Sequence, residues 1–187
     1  MPSTDSAAPA VAPEERTETA RAVWLTGLPS AGKSTIAEAL AESLAGEGRR
    51  VQILDGDLVR ADLCPDLGFA RADRDENVRR VGFVAHLLAR NGVVVLCSLV
   101  SPYRSVRGEV RDLHDGRFFE VHVSTPVEVC AARDVKGLYA EQRAGRLTGL
   151  TGVDDPYEPP VAAEVTVPTH GLSVAESVDL VWTELHR

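Results

Sequence analysis

The 187-residue chain is short of cysteine, aromatic residues and lysine, and it has no long apolar run. Its three cysteines lie far apart and form no C-x-x-C pair, which argues against a disulfide framework or a cysteine metal site. Such sparse cysteine fits a reducing, cytoplasmic compartment. No apolar stretch reaches the length of a membrane helix, and no basic segment followed by an apolar core begins the chain. We therefore expect neither a membrane span nor a secretory signal.

Positive charge is also scarce. The formal net charge is −8, which argues against a general nucleic-acid binder, because such proteins need a basic face. Local clusters of arginine can still bind a small phosphorylated substrate. Lys33 and Lys136 are the only lysines among the 20 lysines and arginines. Codon bias is the simplest explanation of this skew; alternatively, a compact ammonium group is required at both positions.

The chain divides into a polar start and a patterned remainder. Residues 1–20 are rich in Pro, Ala, Ser and Glu and are predicted to form a disordered tail, which leaves 21–187 as a single domain. Strand and helix patterns then alternate. Strands are predicted at 22–26, 51–54, 93–97, 118–123 and 164–167, and helices at 34–45, 75–90, 105–113, from 126 onward and at 173–186.

This alternation predicts an α/β fold with a doubly wound, mostly parallel sheet and helices on both faces. Ligands of such folds bind at the carboxyl ends of the strands. Residues 134–160 are polar and rich in Gly and Pro. We interpret them as a long loop with room for one helical turn.

A phosphate-binding pattern, G-x-x-x-x-G-K-S, lies between the first predicted strand and the first predicted helix. Its backbone N–H groups and the helix N-terminus would surround the phosphates of ATP. Lys33 is predicted to reach the β- and γ-phosphates, and the Ser34 hydroxyl to bind Mg²⁺. The predicted ATP contacts are Gly27, Leu28, Pro29, Ser30, Ala31, Gly32, Lys33, Ser34 and Thr35.

Two carboxylates, Asp55 and Asp57, follow the second predicted strand, whereas the third strand ends in Ser98 without an aspartate of the Walker B kind. A carboxylate at this place suits deprotonation of an acceptor hydroxyl or support of Mg²⁺. The alternative interpretation is an ordinary Asp-Gly turn. Beside a phosphate loop, the catalytic interpretation is favoured.

Further segments follow in a fixed order: D-G-D-x-x-R at 55–60, E-N-x-R-R at 76–80, K-G-L-Y at 136–139 and T-G-x-D-D-P-Y-E at 151–158. Together with the phosphate loop, they make residues 21 to about 170 resemble the adenylyl-sulfate kinase (APS kinase) family. The resemblance implies a P-loop kinase of sulfate assimilation. Such an enzyme transfers the γ-phosphoryl group of ATP to the 3′-hydroxyl of adenosine 5′-phosphosulfate (APS), giving 3′-phosphoadenosine 5′-phosphosulfate (PAPS).

The resemblance also implies roles for individual side chains. Asp57 would be the general base, and Asp55 would help Ser34 to organise Mg²⁺. Lys136 would bring a second ammonium over the phosphates from a lid at about 134–160. Arg133 is a further implied ATP contact. The implied acceptor site consists of Asp55, Asp57, Arg60, Phe69, Arg74, Asn77, Ser101, Lys136 and Leu150.

Ser101 joins Asp57 and Lys33 in the predicted catalytic set, at the position of a serine traditionally assigned as a phosphoserine intermediate of this family. No His or Lys is adjacent in sequence to activate it. Direct transfer between two bound substrates also needs no covalent step. We therefore predict that Ser101 makes a hydrogen bond to substrate or within the structure.

Five positions depart from the family pattern. Pro29 and Ser30 replace a Ser-Gly pair in the phosphate loop, Leu58 replaces an Asn, and Val135 replaces a Pro. Leu150 stands where the family commonly has a phenylalanine that sandwiches the APS adenine with the ring at position 69. Loss of one stacking face would cost about 0.5–1.5 kcal/mol.

Leu150 and Leu58 keep two alternatives open. One is a kinase of the same fold that acts on another nucleotide or nucleoside hydroxyl. The other is a catalytically weak nucleotide-binding module. The resemblance further implies a homodimer, and a chain of this length leaves ATP sulfurylase to a separate protein. Neither nucleic acid nor membrane is an expected partner.

Overall fold

The computed structural model describes residues 20–187, so the predicted tail, apart from Ala20, lies outside the described residues. One parallel five-stranded sheet has the strand order β2-β3-β1-β4-β5. Its strands are β1 (Ala22–Thr26), β2 (Val51–Asp55), β3 (Val94–Ser98), β4 (Phe118–Val123) and β5 (Val165–Val167). The helices of the described part are α1 (Lys33–Gly46), α2 (Gly56–Leu63), α3 (Arg71–Arg90), α4 (Arg104–Leu113), α5 (Val127–Arg133), α6 (Leu138–Arg143) and α7 (Val174–Leu185).

Helices cover both faces of the sheet, as alternation along the central strand requires. Val23 and Leu25 of β1 belong to an apolar cluster with α1 and α7, while Ala22 and Trp24 belong to a second cluster with α3 and α4. Successive strand residues point to opposite faces, so β1 contributes apolar residues to both clusters. The predicted doubly wound α/β fold is confirmed.

The sequence prediction missed α2 and misplaced one helix start. No helix was predicted directly after the second strand, but α2 begins there, and the Asp55 carboxylate caps it by accepting the Asp57 N–H (3.0 Å). No residue of this helix is fully buried, so its sequence lacks the apolar stripe that would have predicted a helix. The next helix, α3, starts at Arg71 rather than 75. The predicted 134–160 loop contains the six-residue α6.

All three cysteines are buried and free. Within residues 20–187, no helix is both long and apolar enough to cross a membrane. The parallel sheet brings the carboxyl ends of β1, β2 and β3 to one edge. The phosphate-loop sequence, Asp55 and Ser98 therefore meet there, although the chain separates them widely.

Candidate active site

The phosphate loop has the tight backbone that its glycines predicted. Gly32 has a φ of 105°, and a Cβ atom at Gly27 would lie 2.5 Å from the Val123 carbonyl oxygen. The buried Lys33 ammonium donates to the carbonyls of Gly27 (3.1 Å) and Leu28 (2.8 Å). Burial, together with a smaller contribution from the charge of Lys136, lowers the pKa of Lys33 to about 8.

Oxygen ligands suited to Mg²⁺ meet at the start of α1. The Ser34 hydroxyl donates to the Asp55 carboxylate (2.7 Å) and lies 3.1 Å from the Ser98 hydroxyl. Hydroxyl and carboxylate oxygens fit a hard cation. No group of three His, Cys, Asp or Glu side chains that could hold a metal occurs in the part of the chain that the structure describes. A cation here would therefore take its remaining ligands from phosphates and water.

Asp57 lies in the first turn of α2 and forms an ion pair with Lys136, which precedes α6. Both side chains are more than half exposed. The predicted base and the predicted lid cation are thus in direct contact, although 79 positions separate them in the chain.

Arg133 contacts the other side of the phosphate loop. Its guanidinium donates to the Ala31 carbonyl (3.1 Å) and to the Thr169 hydroxyl (2.9 Å). The Thr125 and Thr169 hydroxyls also donate to the Ala31 carbonyl, each at 2.9 Å. Neither threonine is among the predicted site residues. Their position just after β4 and β5, at the edge where ligands of such sheets bind, is the signal that could have identified them.

Arg60, Phe69 and Asn77 form the predicted acceptor side. The Arg60 guanidinium lies 4.3 Å from the centre of the Phe69 ring and donates to the Asn77 side-chain oxygen (3.3 Å). Burial, together with the nearby charge of Arg74, lowers the pKa of Arg60. The Phe69 ring itself is 69% exposed. It can therefore offer a face to a planar base without displacing any core residue.

Arg74 connects α3 to the end of the 134–160 segment. It donates to the Gly149 carbonyl (2.7 Å), the Thr151 hydroxyl (3.1 Å) and the Phe69 carbonyl (2.9 Å). Its guanidinium also lies 3.5 Å from the Asp155 carboxylate. Arg74 therefore has structural partners in addition to the substrate role that the resemblance implies.

Leu150 lies between the two residues of the predicted lid that Arg74 binds, is only 5% exposed and belongs to the core cluster shared with α1. Its side chain borders the cleft from within the core rather than projecting into it like Phe69. The two residues that would enclose the acceptor base therefore have very different surroundings.

The Ser101 hydroxyl lies in a buried network. It accepts from the Trp24 indole (3.0 Å) and donates to the Thr26 hydroxyl (3.0 Å). The Arg107 guanidinium donates to the Ser101 carbonyl (2.6 Å) and forms a buried ion pair with Glu120 (2.8 Å). The hydroxyl proton and one acceptor lone pair are thus used by protein groups.

One cleft of about 600 Å³ brings nearly all predicted site residues together. It runs from the phosphate loop and Arg133 to Arg60, Phe69 and Asn77. Gly27 and Leu28 do not line it. Their carbonyls instead accept hydrogen bonds from Lys33. The Leu28 side chain packs so closely against Gly152 that a Cβ atom there would lie 2.4 Å from it.

The chain that forms this cleft matches known proteins along most of its length. Residues 19–168 match the family model described as adenylylsulphate kinase. The chain belongs to the adenylylsulphate kinase family. A relative named adenylyl-sulfate kinase, from Microcystis aeruginosa, is 55% identical over 163 residues, covering 87% of this chain and 90% of the relative.

Solved APS kinase structures share the fold. The Mycobacterium tuberculosis APS kinase in complex with AMPPNP and APS is 40% identical, with a TM-score of 0.86 over 89% of this chain and 98% of that one. A hexameric APS kinase from Thiobacillus denitrificans is 36% identical, with a TM-score of 0.68 over 90% of this chain and 29% of that one.

Proposed function

We propose that this APS kinase family member transfers the γ-phosphoryl group of ATP to the 3′-hydroxyl of APS, producing PAPS and ADP. The proposal rests on the observation that one cleft contains two groups of residues. The phosphate loop and Arg133 lie at one end of it, and Arg60, Phe69 and Asn77 lie at the other. The family relationship, and the AMPPNP and APS bound to the mycobacterial relative, support the same assignment.

In this proposal the 3′-oxygen of APS attacks the γ-phosphorus, and the bond from that phosphorus to the β,γ-bridging oxygen breaks. The proton of the hydroxyl passes to the Asp57 carboxylate, and ADP leaves. Lys33 and Lys136 offset the negative charge of the phosphates. The transfer gains mainly from holding the two substrates in line, so Asp57 also contributes by positioning the hydroxyl.

Mg²⁺ fits the Ser34 hydroxyl and the Asp55 carboxylate, which we propose as its protein ligands. When bound, the ion would offset the negative charge of the phosphates. Asp55 has a second role in the protein itself, because its other oxygen caps α2 and so orients Asp57.

We further propose that residues 134–160 act as a lid that carries Lys136 over the phosphates and excludes water from the transfer. A cytoplasmic location, a homodimer and a separate ATP sulfurylase that supplies APS complete the proposal. The hexamer described for the Thiobacillus relative makes the oligomeric state a quantity to measure directly, by light scattering of the purified chain.

The decisive experiment incubates the purified chain with ATP, Mg²⁺ and APS and follows PAPS and ADP by chromatography. We expect equal amounts of both products, and no ADP beyond the background when APS is omitted. A chain that releases ADP without forming any 3′-phosphorylated product would overturn the proposal.

Leu150 is the observation that favours testing a second acceptor. An aliphatic side chain held in the core leaves Phe69 as the aromatic face for the base. A panel of adenosine and guanosine nucleotides and nucleosides, at equal concentration with APS, tests this alternative. A rate with another acceptor far above the rate with APS would assign the chain to that acceptor. Tight ATP binding without turnover of any acceptor would identify a binding module.

A further inference from the structure

Three consecutive residues of the phosphate loop are bonded to the segment that surrounds Lys136. These bonds run from the Arg133 guanidinium to the Ala31 carbonyl (3.1 Å), from the Val135 N–H to the Ser30 hydroxyl (3.3 Å) and from the Tyr139 hydroxyl to the Pro29 carbonyl (3.0 Å). Lys136 lies between the second and third of them in sequence. The segment that carries the lid cation is therefore fastened to the loop that would hold the phosphates.

Only the middle bond depends on a loop side chain. Any residue offers a carbonyl at positions 29 and 31, whereas position 30 accepts the Val135 N–H through its hydroxyl. Ser30 makes this bond from a φ of 60°, a conformation that side chains disfavour and glycine tolerates. Serine at this position therefore destabilises the backbone relative to glycine, while its hydroxyl adds the hydrogen bond to Val135.

The bond requires a hydroxyl at position 30 and an N–H at position 135. Glycine has no hydroxyl and proline has no N–H, so glycine at position 30 or proline at position 135 would each remove the bond.

We infer that Ser30 is a positioning residue for phosphoryl transfer. Its hydroxyl holds the Val135 N–H and so keeps the next residue, Lys136, between the phosphate loop and Asp57. The inference rests on the proposed function, because it concerns the transfer step. Lys136 then contacts the phosphates with less loss of freedom on binding.

The test compares Ser30→Ala with Ser30→Gly in the full chain. We expect both variants to lower kcat about 3- to 10-fold with ATP and APS, since one hydrogen bond is lost, and to leave the KM for APS unchanged. Alanine keeps the unfavourable φ whereas glycine relieves it, so equal losses assign the effect to the hydroxyl. Ser43→Ala, at an exposed serine of α1, is the matched control and should behave as the parent chain.

A second measurement does not need an acceptor. Hydrogen exchange of the Val135 amide, followed with a non-hydrolysable ATP analogue bound, should become faster in Ser30→Ala than in the parent chain. An unchanged exchange rate would show that the Val135 N–H does not depend on the Ser30 hydroxyl and would overturn the inference. A parent chain that forms no PAPS would instead contradict the proposed function, so the two failures are distinguishable.

A double-mutant comparison tests whether the Ser30 hydroxyl acts through Lys136. On a Lys136→Ala background, Ser30→Ala should cause no further loss of kcat, because the hydroxyl acts through that ammonium. An undiminished additional loss would overturn the inference and assign Ser30 a direct contact with ATP. A kcat in Ser30→Gly equal to that of the parent chain would overturn it as well, because the hydroxyl would then be dispensable.

Discussion

The Lys136 ammonium forms an ion pair with the Asp57 carboxylate, so the proposed phosphate-binding cation also contacts the proposed general base. The pair is largely exposed and contributes little to folding. In the proposed transfer, the ammonium would contact phosphate oxygens while the carboxylate would accept a hydroxyl proton. Substrates would compete with the pair for both partners.

Replacement of Asp57 tests the base directly. We expect Asp57→Asn to lower kcat about 10²- to 10⁴-fold, the usual contribution of general base catalysis, while ATP affinity and the unfolding midpoint stay close to those of the parent chain. Asp66→Asn is the matched control, since Asp66 is also an exposed carboxylate in an ion pair, with Arg80, but outside the cleft. A loss below threefold in Asp57→Asn would remove Asp57 from the transfer step.

Phe69 tests recognition of the acceptor base. Because its ring is exposed, Phe69→Ala should leave stability unchanged and raise the KM for APS about 2- to 10-fold through lost stacking. Phe83→Ala removes another exposed ring, on α3 outside the cleft, and should change neither quantity. An unaltered KM in Phe69→Ala would show that the base is held elsewhere.

The pKa of Lys33 predicts how nucleotide affinity depends on pH. Burial lowers this pKa from 10.5 to about 8, so the folded protein holds the proton less tightly than the unfolded chain. Between these two values the Lys33 contribution to stability rises with pH, whereas the charge available to phosphates falls. Calorimetry with a non-hydrolysable ATP analogue should therefore show affinity falling above about pH 8, by up to tenfold per pH unit. Lys33→Met should bind weakly with no such fall, and a flat profile in the parent chain would refute the prediction.

Ser101→Ala distinguishes a covalent role from a hydrogen-bonding one. The change leaves the Trp24 indole N–H without its acceptor, which should cost about 1–3 kcal/mol of stability. Activity should remain within about tenfold of the parent chain, and intact mass after incubation with ATP should show no phosphoserine in either protein. Complete loss of transfer in a folded Ser101→Ala variant would contradict this prediction.

The Arg107–Glu120 pair supports the segment that carries Ser101. Arg107 is 3% exposed, so Arg107→Gln leaves a buried carboxylate without its main partner and should lower the free energy of unfolding by about 3–5 kcal/mol. Arg79→Gln is the control: its pair with Glu109 is exposed, and chemical denaturation should detect little change. Similar effects of the two changes would refute the prediction.

Much of the fold could be predicted because its signals are local. The apolar runs of the strands, the period of the helices and the glycines of the phosphate loop each lie within a short window. The exception, α2, has no buried stripe, and its cap is an aspartate that a turn would also use. Pattern alone could not distinguish the two.

The sequence by itself determined the donor side of this protein, because Gly27 to Ser34 form one contiguous loop whose geometry follows from residue type and from its place between strand and helix. Only the tertiary structure decided the partners of Arg74, Ser101 and Leu150. Arg74 bonds to Thr151 across 77 positions, and Ser101 to Trp24 across the same distance. Such contacts depend on which elements the sheet order brings together, and no local pattern encodes that order.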